Sequence, residues 1–462
     1  MARARQEMGG LARDLTGSDG AVLRAVPPPP ASVPRRLVAG AVHRYRWAER
    51  FLGRRSAVRA AMALPRTARF LGSALATGSV ADDVPAPTLT VALAAQVAMD
   101  EALLALAMTP SRFPHRADYE QVEGELADAR RLHARRGWTA HPDTYHRQPP
   151  PLADRDLGRS SHSVLGTRYE KVTYDSGFTP RPGEPGSERW TSYHPNRTAV
   201  AHLVRHPGKE RPWVIAVHGF CMGSPLMDFR GLHVDRIHRE LGMNVALPVL
   251  PLHGPRKVTR LSGEALLSFQ LMNAVHGLAQ AVWDIRRLIG WVRTQGATSI
   301  SLYGVSLGGY VVSLVAGIED GIDAVVAGIP VSDFPVLFDR HSPAHVRTRA
   351  VEHHILDGTA DEVFRVVAPM SFRARVPRER RFVFAGYGDR LALPDQAHRL
   401  WQHWEEPSIC WYPGNHVGYL WSHQVSDFVA DSLCLGASGA SGESDAVRSV
   451  GPAGAVRVPT ST

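Results

Sequence analysis

Cysteine and lysine are nearly missing from these 462 residues. The three cysteines, Cys221, Cys410 and Cys434, leave an odd thiol and no metal-ligand spacing. That excludes a disulfide framework and points to a reducing, cytoplasmic location. Only Lys171, Lys209 and Lys257 are lysines, so arginine supplies nearly all of the 53 basic residues. With abundant Ala, Gly and Pro this reads as the codon bias of a GC-rich genome, which weakens basicity as a functional signal. Long apolar runs are missing too. The opening MARARQEMGGLARDL has no apolar h-region, so no secretory signal is expected. The most apolar stretch, Leu89 to Met108, is broken by Asp100 and Glu101. A mid-bilayer acid costs about 2.5–3.5 kcal/mol, so a buried helix is expected there rather than a membrane span.

What is present is an apolar content of 44%, enough for a sizeable core. The net charge of +9 is concentrated: residues 1–80 carry 14 Arg against 4 acids, leaving the remainder close to neutral, and no nucleic-acid partner is expected. Residues 1–34, with Pro27 to Pro30, read as a flexible arm. Residues 35–148 read as an N-terminal helical region with apolar periodicity at Val38, Val42, Tyr45 and Leu52, again over 88–108, and at Tyr119, Val122, Leu126, Ala129 and Leu132. The basic first helix predicts docking on the rest of the chain or weak peripheral association with an anionic membrane through residues 35–70. Residues 149–166 read as a linker, 167–435 as an α/β domain, and 436–462 as a disordered tail.

The α/β domain is predicted from seven short apolar runs: TAVAHLV (198–204), WVIAVH (213–218), NVALPVL (244–250), SISLY (299–303), AVVAGI (324–329), RFVFAG (381–386) and SICWY (408–412). Alternating with helices, such runs imply a mostly parallel, buried central sheet flanked by helices. Val275, Leu278, Val282, Ile285, Ile289 and Val292 form a helical stripe to lie on it.

Chemistry enters at Gly304-Val305-Ser306-Leu307-Gly308, a G-x-S-x-G pattern between a predicted strand and an apolar helix. That context suits a sharp turn that lifts a serine hydroxyl above a sheet edge. A serine nucleophile needs a base, and His416 follows the last predicted strand. The base needs an orienting acid: Asp389, at the end of RFVFAG, is favoured over Asp333, which follows the preceding strand. Either acid could instead cap a helix. Oxyanion stabilisation calls for two N–H donors. The first is Leu307 N–H. The second, from His218-Gly219-Phe220-Cys221-Met222-Gly223, is expected at Phe220, with Cys221 next, while His218 shapes the loop.

These features, in this order, resemble the α/β-hydrolase superfamily over about residues 165–435, and the loop at His218 resembles the oxyanion loop of esterases and lipases. Serine at 306 argues against the aspartate-nucleophile branch. The resemblance implies a serine esterase or lipase-like hydrolase that cleaves a small-molecule or lipid ester through an acyl-enzyme, with no cofactor and no metal. Its alternatives are an acyltransferase using the same residues, or a non-catalytic interaction protein with this fold. Residues 333–370 stand where a cap would be inserted, and Phe334, Leu337, Cys221 and His253 are candidate substrate contacts, with Arg256 beside them. His353 and His354 point to different helical faces and suggest no metal site.

Overall fold

A computed structural model describes residues 63–77, 84–107, 114–208 and 210–438. The readings for residues 1–34, for the helix at 37–55 and for most of the tail lie outside the described residues.

Nine strands form one sheet: β1 (Gly158–Val164), β2 (Thr167–Asp175), β3 (Thr198–Val204), β4 (Arg211–Val217), β5 (Asn244–Val249), β6 (Ala297–Val305), β7 (Ala324–Gly328), β8 (Arg381–Gly386) and β9 (Ser408–Tyr412). Their order is β1-β2-β3-β5-β4-β6-β7-β8-β9. Pairing is antiparallel from β1 through β3 to β5 and parallel from there to β9. All seven predicted runs are strands of this sheet. This is the mostly parallel, helix-flanked central sheet that the sequence predicts.

Among the described residues twelve α-helices accompany it: α1 (Ala63–Thr77), α2 (Val91–Ala107), α3 (Arg116–Arg135), α4 (Ser187–Thr191), α5 (Pro225–Gly231), α6 (Leu271–Thr294), α7 (Leu307–Ile318), α8 (Phe334–His341), α9 (Ala344–Glu352), α10 (Thr359–Phe364), α11 (Pro394–His403) and α12 (His423–Ser438). The sheet is covered on both faces, which is why β5, β7 and β8 are buried along their whole lengths. One apolar cluster includes α6 and α7; the other includes Val425, Val429 and Leu433 of α12.

The sequence reading needs two revisions here. The stretch 149–166 contains β1, an edge strand whose GRSSHSV is exposed at six of seven positions, so it carries no apolar alternation to betray it. Helix α12 runs on to Ser438, past the Gly436 taken as the start of the tail; Gly436 itself is buried against Ala324. Residues 333–370 form three helices and pack on the N-terminal region. There His353 bonds Glu123 at 2.8 Å and stacks on Tyr119 at 5.4 Å. Among the described residues no helix is long and apolar enough to cross a membrane.

The register brings four loops together. Val217 of β4 pairs with Gly304 of β6, and Gly386 of β8 with Tyr412 of β9. The loops leaving these carboxyl ends therefore start side by side along one sheet edge, where ligands bind in open α/β sheets.

Candidate active site

The turn between β6 and α7 is held by close backbone packing. A Cβ at Gly304 would lie 2.2 Å from the Gly308 carbonyl oxygen, and one at Gly308 would lie 2.0 Å from that of Val217. No side chain fits at either place, so both glycines are required. Ser306 sits between them at φ 56° and ψ −115°, where an L-residue is strained, and donates its N–H to Gly328 O at 2.8 Å. Ser306 is partly exposed although the end of β6 and all of α7 around it are buried.

From that hydroxyl runs an unbroken hydrogen-bond chain. Ser306 Oγ donates to His416 Nε2 at 2.9 Å, and His416 Nδ1 donates to Asp389 Oδ2 at 2.6 Å, the tautomer being assigned from this network. Asp389 Oδ1 accepts from Leu391 N–H at 2.8 Å and Ala392 N–H at 2.9 Å, which fixes the carboxylate plane. Burial pushes His416 down, but Asp389, by charge and hydrogen bond, and Asp100, by charge, outweigh it and leave its pKa above the ordinary 6.5. Asp333 takes the other course open to it: it caps α8, accepting Val336 N–H at 3.0 Å, with Arg399 at 3.8 Å.

Beside the serine lies the loop after β4. A Cβ at Gly219 would approach Ser306 Cβ to 3.4 Å, so Gly219, the residue before Phe220, lies against the serine. His218 is buried and bridges two strand ends, donating from Nδ1 to Gly219 O at 2.8 Å and accepting Leu250 N–H at Nε2 at 3.0 Å. Cys221 turns the chain at φ 65°, and burial, with Glu264 adding to it, pushes its thiol up to about 11, so it is not a thiolate near neutral pH.

The other candidate contacts divide. His253 is fully buried, donates from Nδ1 to Pro251 O at 2.9 Å and packs edge-on to His218 and Phe220. Burial, then His218, lowers its pKa to about 3, so the ring is neutral. Arg256 turns into the core and pairs with Asp284 at 2.8 Å, because a buried guanidinium needs a buried carboxylate; it is a structural cation, not a surface contact. Phe334 is buried against Tyr310 of α7 at 4.6 Å, and Leu337 lies on the same helix, also buried. His353 and His354 pair separately with Glu123 and Asp357.

Sequence reasoning missed a set of groups beneath the acid and base loops. Asp100, fully buried on α2, accepts three donors: His416 N–H at 2.9 Å and Arg390 N–H at 3.0 Å on Oδ2, and Asn415 Nδ2 at 2.8 Å on Oδ1. Gln96, one turn earlier, accepts Asn415 N–H at 3.0 Å, and its own carbonyl accepts Asn415 Nδ2 at 2.9 Å. The available signal was periodic: Leu93, Val97 and Leu104 are buried, and Asp100 occupies the position where that face calls for an apolar residue.

No family model matches the chain. Two relatives from Mycobacterium tuberculosis do. The uncharacterized protein MT2702 of strain CDC 1551 / Oshkosh is 41% identical over 365 residues, which span 77% of this chain and 85% of that protein. The uncharacterized protein Rv2627c of strain ATCC 25618 / H37Rv is 40% identical with the same coverage. Among solved structures, acetyl xylan esterase 1 from Thermoanaerobacterium sp. superposes with a TM-score of 0.45 at 15% identity, over 65% of this chain and 92% of that one. An S-formylglutathione hydrolase from Agrobacterium tumefaciens does so with a TM-score of 0.39 at 16% identity, over 61% and 98%.

Proposed function

The chain belongs to the family of those two mycobacterial proteins and to the α/β-hydrolase superfamily, and on that premise we propose that it is a serine hydrolase cleaving carboxylic esters. The observation that carries the reading is the chain Ser306 Oγ, His416 Nε2, His416 Nδ1, Asp389 Oδ2, with links of 2.9 and 2.6 Å. A serine hydroxyl is a weak nucleophile until a base takes its proton in the transition state.

Ser306 attacks the acyl carbon while its proton passes to His416. Asp389 keeps His416 in the tautomer that accepts at Nε2 and stabilises the imidazolium. The amides of Leu307, first in α7 and so without an intrahelical acceptor, and of Phe220 take the oxyanion. The imidazolium then protonates the departing alcohol, leaving an ester on Ser306. Water, deprotonated by the same histidine, releases the acid and restores the serine. The substrate class is a small-molecule or lipid ester.

A fluorophosphonate probe tests this directly: it is expected to modify Ser306 in the intact chain and to leave Ser306→Ala unlabelled. Undiminished labelling of that variant sinks the assignment. Hydrolysis of p-nitrophenyl esters of increasing chain length then reports the acyl preference.

A further inference from the structure

Asp100 lies far from the serine in sequence and beneath the site in space. Its donors come from both loops that carry the His416–Asp389 pair: Arg390 is the residue after Asp389, and Asn415 precedes His416. All three partners donate and none accepts, the pattern of an ionised carboxylate. Such bonds are roughly twice as strong as neutral ones.

We propose that Asp100 is a positioning residue of the active site: from α2 it pins the backbones of Arg390 and His416 in one register, and its charge supports the imidazolium formed on His416. The proposal rests on the serine-hydrolase reading and extends the machinery into the N-terminal helical region. Glu101 pairs with the Arg390 side chain at 3.1 Å and with Arg66 at 3.5 Å. Tyr412 donates its hydroxyl to Asn415 O at 2.6 Å, and Tyr419 donates its own to Gly231 O at 2.9 Å. Asp389 holds the His416 ring at Nδ1, whereas Asp100 takes its backbone N–H. Burial and the nearness of Asp389 raise Asp100 from 3.8 to about 7, so its charge is complete only on the alkaline side of neutrality.

The sign of the effect follows. An anion beside an imidazole raises its pKa, so removing Asp100's charge lowers the pKa of His416 and moves the acid limb of the rate to lower pH, while the loosened loops lower the plateau. The probe is the fluorophosphonate, whose second-order labelling rate on the full chain is followed against pH without knowledge of the natural substrate. Asp100→Asn is expected to slow labelling roughly 10- to 100-fold, as loss of a supporting shell commonly does. It should also shift the acid limb down by about half a pH unit or more. Asp100→Glu keeps the charge and should return the limb to its original place. If Asp100→Asn does not fold, Asn415→Ser removes one of the three donors, leaves α2 intact and should give a smaller shift in the same direction. Wild-type rates and limb in these variants overturn the proposal, as do equal limb shifts in Asp100→Asn and Asp100→Glu, which mark mere structural damage. Failure of the unmodified chain to label on Ser306 instead overturns the serine-hydrolase reading on which it rests.

Discussion

The two halves of the candidate site are built in opposite ways. The half with Ser306 is local: strand, turn and helix are contiguous, and its tightest contacts are backbone on backbone, Gly304 against Gly308 and Gly308 against Val217. The half with Asp389 and His416 is assembled from afar, with Asp100 bonded to residues 290 to 316 positions later. Substitutions should therefore fail abruptly in the first half. In the second, failure should be graded according to which partner is lost.

The largest effect separates the two acids. Asp389→Asn should lower kcat on a p-nitrophenyl ester by about 10⁴-fold, the cost of losing the group that fixes the histidine tautomer. Asp333→Asn should stay within a few-fold, because it alters a helix cap and an ion pair 3.8 Å long. The reverse ranking in folded variants would transfer the acid's role to Asp333.

Next comes a pair of glycines. Gly308→Ala drives a Cβ to within 2.0 Å of a backbone oxygen that cannot retreat, and should cost about 3 kcal/mol or more. Gly388→Ala first meets the terminal methyl of Leu93 on α2, at 2.5 Å, with the Gly414 carbonyl oxygen next at 3.1 Å, and should cost less, about 1–2 kcal/mol. Denaturant midpoints give both values. Equal losses would erase the contrast between these two positions.

The smallest effect concerns the basic N-terminal residues, whose anchoring role is a proposal. Each arginine facing an anionic leaflet is worth about 1 kcal/mol, so binding to phosphatidylserine vesicles should be weak and should fade with salt. Co-sedimentation that is equally absent with anionic and neutral vesicles removes the membrane version and leaves docking on the hydrolase fold.

Legibility in the sequence followed the same divide. Seven strands could be read because a strand buried on both faces is a continuous apolar run, as in RFVFAG. Strands β1 and β2 could not: GRSSHSV is exposed, and TRYEKVTYD buries only Thr167, Val172 and Tyr174. Ser306 was legible because its turn demands glycines at fixed offsets, and Asp389 and His416 because they close the strands on which chain order puts an acid and a base. Asp100 was read for what it excluded, a membrane span, since nothing local names the backbone amides that its carboxylate would meet. Arg256 drew attention as a loop cation, and only the fold shows Asp284 waiting in the core.

The reach of α2 also sets a timetable for the nascent chain. Asp100 leaves the ribosome 316 residues ahead of His416, whose amide it must accept. At the usual 5–20 residues per second of synthesis, that is an interval of roughly 15 to 60 seconds. Until Arg390 emerges, the Asp100 carboxylate lacks all three of the donors it has in the fold. Only when Asn415 and His416 emerge do the last donors arrive, so the bonds that tie α2 to the acid and base loops can be completed only near the end of synthesis.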